Sequence, residues 1–115
     1  MFSSARDLAI LIAAHLGDIP VAPELRAAMQ LAQRSVVRIS PHISQALAWE
    51  VSEPAGGPVI IDKPGGIDNA SAYIGMVPER QLGIVILVNR GDRNPHEVAR
   101  KIILPSLARG LSEFP

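Results

Sequence analysis

The chain has 115 residues, with 11 Lys and Arg against 11 Asp and Glu, 48% hydrophobic residues and no cysteine. Cancelling charge offers no long-range field to nucleic acid or an anionic membrane, and a cysteine-free chain excludes disulfides, thiolate nucleophiles and thiolate-bound zinc. The length suits one domain over 1–115, and no apolar run approaches the ~20 residues of a membrane helix, so neither nucleic-acid binding nor membrane insertion is expected.

Residues 1–4 show no basic segment leading into an apolar stretch, so no export signal is expected. Ser4 as cap, Asp7 three residues on and Gly17 as stop predict a helix over 5–16, with Leu8, Leu11, Ile12 and Leu16 on one face. His15 falls in its last turn, at the negative helix end, and reads as structural. Pro23 suits the first position of a second helix ending near Arg34, with Leu25, Ala28, Met29 and Ala32 at helical spacing. The β-branched Val36, Val37 and Ile39 indicate an extended connection or a short strand over 35–41.

Residues 45–51 alternate, with Leu47, Trp49 and Val51 against Ala46, Ala48 and Glu50, which predicts one half-buried strand with Trp49 packed on the sheet. A Pro/Gly loop follows over 53–58. Val59, Ile60 and Ile61 then form a short strand that delivers Asp62 and Lys63 to its end. Residues 70–77 and 82–89 flank Pro78-Glu79-Arg80-Gln81 as the arms of a hairpin, and the nearly continuous apolar run from Ile84 to Val88 marks a strand covered on both faces. Asn94, Pro95 and Glu97 predict the start of a last helix, with Val98, Ala99, Ile102 and Ile103 as its apolar face and an interruption at Pro105. His42 and His96 have no partners at metal-ligand spacing, so no metal and no cofactor are expected.

Lys63, Gly65, Ser71, Tyr73, Pro78, Glu79, Leu82, Gly83, Ile84, Val85 and Asn89 fall together at fixed offsets. This pattern resembles the Lys-Thr-Gly strand and following hairpin of class C β-lactamases and the related penicillin-binding serine hydrolases. The opening Met-x-Ser-Ser-x-x-Asp-Leu-Ala, Leu31-Ala32-Gln33 and Leu47-Ala48-Trp49-Glu50 are similar to earlier segments of that family. The resemblance therefore spans the chain and corresponds to roughly the C-terminal third of such an enzyme. The implied fold is α+β, an antiparallel sheet of roughly three or four strands with two helices before it and one after.

The resemblance also implies site roles. Lys63 would support the electrostatics of the nucleophile, Gly66 would donate its backbone N–H to the oxyanion of acyl transfer, and Gly65 would let substrate approach the strand. Pro64 stands where the family has Thr or Ser, whose hydroxyl helps hold the substrate carboxylate. Proline has neither that hydroxyl nor a backbone donor. Tyr73 is not part of a Tyr-x-Asn arrangement and reads as packing.

The family's nucleophile is the serine of Ser-x-x-Lys, and no serine here has lysine at that offset. Ser3, Ser35 and Ser106 are followed there by Arg6, Arg38 and Arg109, which stay protonated and are poor bases. The resemblance thus implies part of an enzyme that hydrolyses β-lactams or acyl-peptides, inactive alone and binding such a ligand only when a missing N-terminal part completes the site. The alternatives are the docking half of a split hydrolase and a non-catalytic interaction module, a homo-oligomer joined through an exposed apolar sheet face. Family members generally work in the periplasm, for which this sequence shows no signal.

Overall fold

Ser4 opens the first helix, α1 (Ala5–His15), by accepting a hydrogen bond from the Asp7 N–H at 3.1 Å. Gly17, at φ +88°, ends it in a conformation that favours glycine. In the computed structural model, which describes residues 2–113, α2 (Pro23–Ala32) follows with Pro23 in its first turn. The two helices are joined by Arg26, whose guanidinium donates to the carbonyl oxygens of Ala14 and Ile19. One side chain of α2 thereby adds a second donor to the Ala14 carbonyl near the end of α1, which also accepts from the Gly17 N–H at 3.2 Å.

The sheet is antiparallel but larger than its local signals indicate. It has six strands in sequence order, β1 (Val37–Ser40), β2 (Ile43–Gln45), β3 (Glu50–Ser52), β4 (Ile60–Ile67), β5 (Ala70–Val77) and β6 (Leu82–Val88). The expectation of three or four is corrected by the short strands. Residues 45–51 are not one strand but a hairpin turn between β2 and β3. The Ala46 N–H donates to the Trp49 carbonyl at 2.8 Å, and Gln45 Nε2 donates to the carbonyls of Ala46 and Trp49. The turn exposes Leu47 and tucks Trp49 into the core, edge-on to His15 at 5.3 Å between ring centroids.

β4 also runs past its expected end at Lys63. It pairs with β5 continuously from Ile61↔Met76 to Ile67↔Ala70. β5 and β6 form the expected hairpin, paired from Ser71↔Val88 to Val77↔Leu82 and closed by a 3₁₀ turn, Pro78–Arg80, with Gln81 left-handed at φ 52°.

Strand alternation sends successive residues to opposite faces. On one face Trp49, Val51, Ile61 and Met76 pack against Ile12 of α1. Gly83 makes this possible, because a Cβ there would lie 2.1 Å from Ile12 Cγ2. On the other face Ile60, Tyr73 and Val77 pack against Ala99 and Leu104 of the C-terminal helical segment. The sheet is therefore the middle of three layers.

That last segment is a single helical run with a local widening. α3 (Pro95–Val98) passes into a π turn over Ala99–Ile103 and then into α4 (Leu104–Glu113). Within the π turn the Leu104 N–H donates to the carbonyl of Ala99, five residues back. Pro105 lacks an N–H and its ring crowds the carbonyl of the preceding turn, which the wider turn accommodates. The expected apolar face is displaced as a result. Ala99, Leu104 and Ala108 are buried, whereas Val98 and Ile102 are exposed.

Candidate active-site edge

Asp62 and Lys63 sit side by side on β4 and point to opposite faces. Asp62 is fully buried at 0% exposure and fully partnered. Its Oδ2 accepts from the Tyr73 hydroxyl at 2.6 Å and from Arg100 Nε at 2.8 Å, while Arg100 Nη2 also bridges to Glu50 Oε2 at 2.6 Å. Glu50 and Asp62 are cross-strand partners, so one guanidinium from the C-terminal helical segment joins β3 to β4.

Glycine lets the tyrosine reach. Asp62 pairs with Gly75, and the Tyr73 ring lies over Gly75, where a Cβ would come within 2.6 Å of the phenol oxygen. Burial, then the hydrogen bond to Asp62, pushes the Tyr73 phenol above its ordinary range. The hydrogen bond to Asp62 is the largest cause holding Arg100 above its own ordinary value, against the opposing effect of burial. Tyr73 thus stays neutral and Arg100 charged.

Sequence reasoning missed this cluster and took Tyr73 for packing alone. The available signal was a carboxylate directly after the apolar run Val59-Ile60-Ile61, because a buried acid requires a partner.

Lys63 is exposed, and Gly65 and Gly66 are exposed beyond it. β3 pairs with β4 only up to Glu50↔Asp62, so among the described strands the outer edge of β4 is open from Lys63 onward. Pro64 sits within the unbroken ladder, opposite Tyr73. A strand accepts proline where its missing N–H would face open space. Backbone N–H groups two residues apart face the same edge, so the same parity turns the Gly66 N–H to the open side. Gly65, Gly66 and Ile67 line a groove of about 590 Å³ with Phe2, Leu8 and Leu87.

The Ser71 hydroxyl, opposite Gly66, is engaged elsewhere, its one proton shared between the carbonyls of Arg90 and Arg93, which holds the turn after β6. Among the described residues no group of three or more His, Cys, Asp or Glu is placed to hold a metal ion, and no helix is long and apolar enough to cross a membrane.

The family model described as Beta-lactamase matches residues 1–108. This chain belongs to the β-lactamase family. Solved structures agree with the assignment. A class C β-lactamase from Rhodobacter sphaeroides superposes with a TM-score of 0.76 at 25% identity, over 91% of this chain and 38% of that one. A β-lactamase from Sulfitobacter sp. EE-36 gives 0.76 at 24% identity over 93% and 38%, and the D-alanine carboxypeptidase AmpC from Burkholderia cenocepacia gives 0.75 at 24% over 94% and 39%. The present β-lactamase-family chain thus spans less than two fifths of the length of these structures. A comparison with curated protein sequences finds no match.

Proposed function

We propose that this chain supplies the lysine-bearing wall of a β-lactamase-type acyl-transfer site and has no hydrolase activity until another polypeptide segment brings the nucleophile. The observation that carries the reading is the open edge of β4 from Lys63 onward, with two glycines exposed beside it. In such a site a serine oxygen attacks the lactam or peptide carbonyl, and the carbonyl oxygen gathers negative charge as the new C–O bond forms. The Gly66 N–H is the preorganised donor for that oxygen, and Lys63 adds positive charge close by. Gly65 leaves room for the substrate to lie along the strand. Pro64 withdraws the hydroxyl that would hold a substrate carboxylate, so ligands without that anchor are favoured.

The test is incubation of the chain with a chromogenic cephalosporin and with an acylating penicillin, read by absorbance and by intact mass. No turnover and no adduct are expected, and a stable adduct on any of its own serines overturns the claim of inactivity.

A second reading, association as a docking half or as a non-catalytic homo-oligomer, is favoured by the exposed Ile10, Leu11, Leu25, Leu31, Val37 and Ile39 on α1, α2 and β1. Sedimentation of a strictly monomeric species that binds no apolar dye counts against it.

A further inference from the structure

The sheet face opposite Lys63 carries a second concavity. It measures about 820 Å³ and lies between the 53–58 loop, the ends of β2 and β4, and the C-terminal helical segment. That volume falls within the range of small-molecule sites. Its floor is apolar, with Ile43 and Ile60 from the sheet, Pro54 and Pro58 from the loop, and Pro105 and Ala108 from α4.

Its charge is predominantly positive. Arg80, Arg100, Lys101 and Arg109 contribute to the lining, and Glu97 is the one carboxylate among the lining residues. Part of this charge is met inside the protein, because Arg100 pairs with Asp62 and Glu50, and Lys101 with Glu97 at 3.4 Å. Arg109, whose Nη2 donates to the neutral hydroxyl of Ser106, leaves the lining net positive.

A second observation concerns a residue of the same lining. His96 lines the cavity, and its Nε2 is buried with no hydrogen-bond partner. Burial without a partner is costly, and an imidazole nitrogen carrying its proton is satisfied by an anion's oxygen.

We propose that this cavity binds a small amphipathic anion, a carboxylate on an apolar body, with the body against Ile43, Ile60 and Ala108 and the head between His96, Lys101 and Arg109. This site is independent of the lysine-strand reading, since it lies on the other face of the sheet and requires no nucleophile.

The probe is decanoate below its micelle concentration, with decanol as the uncharged control, followed by ¹⁵N–¹H chemical shifts. Decanoate is expected to bind at least about tenfold more tightly than decanol, a difference of about 1.4 kcal/mol. It is also expected to shift the resonances of residues 96–109 and 54–58. The exposed double variant Lys101→Glu/Arg109→Glu should lose at least about tenfold in decanoate affinity, while Arg6→Glu on α1 binds as the parent does. Equal affinity for decanoate and decanol, unchanged binding in the double variant, or shifts confined to the groove lined by Gly65 and Gly66 each overturn the assignment.

Discussion

Asp62 and Lys63 are adjacent on β4, yet the first is fully buried and the second exposed. The first half of the strand is enclosed. β3 covers its edge and the C-terminal helical segment its face, and Asp62 accepts from both Tyr73 and Arg100. The second half loses β3, keeps β5 and exposes Lys63, Gly65 and Gly66. One strand thus fixes its own position with a buried carboxylate and offers a lysine at an open edge. Alternation across the pleat makes this possible within two residues.

The comparison is broken most severely by Arg100→Met. It leaves the Asp62 carboxylate buried without its cationic partner, and a loss of about 3–5 kcal/mol is expected in urea unfolding. Adding Asp62→Asn to the same chain should recover part of that loss, since the uncompensated charge is then gone.

Tyr73→Phe sharpens the enclosed half by deleting one donor to a charged acceptor, an expected loss of about 1.5–3 kcal/mol. It also has a pH signature. The Tyr73 pKa is raised by folding, so its contribution is fully present below the unfolded value near 10 and is lost as pH rises above it. Stability of the parent should fall above that pH with up to about 1.4 kcal/mol per pH unit from this group, and the Phe variant should show a flatter alkaline limb.

Lys63→Ala tests the exposed half. The side chain is exposed and makes no ion pair among the described residues, so the unfolding midpoint should move by less than about 0.5 kcal/mol. A larger loss would place Lys63 among the structural charges and remove the contrast.

The parts of the fold legible in the sequence were those set by neighbours in the chain. Ser4 and Gly17 bounded α1, Asn94 caps the last helical segment by accepting from the His96 N–H, and the alternating arms around Pro78 located the β5–β6 hairpin. The β2–β3 turn was missed because Ala46-Leu47-Ala48-Trp49 contains no turn-forming residue, and a glutamine side chain stabilises it instead.

The apolar run of β6 did indicate cover on both faces, which α1 and α4 provide. Nothing in its pattern told that it would end the described sheet, with most of its residues half-buried. In the candidate site, Lys63, Gly65 and Gly66 stood out only through the family resemblance, and the structure places them on an exposed strand edge. The Asp62 cluster was not, since Arg100 lies 38 residues away and only the folded chain brings the two together.

The π turn before Pro105 holds one residue more than an α turn would. Ala99 and Leu104 both face the sheet although they are five residues apart, and Ala108 follows at the ordinary four. Each residue of an α-helix advances about 100° around the axis, so in a regular helix Leu104 would sit about 140° away from Ala99. The π turn takes up that extra residue, and removing one residue between 99 and 104 would leave the two at the ordinary four-residue spacing, still facing the sheet. The surplus is therefore swallowed within a single turn, and a one-residue deletion there would exchange the wide turn for an ordinary one while both anchors keep their seats.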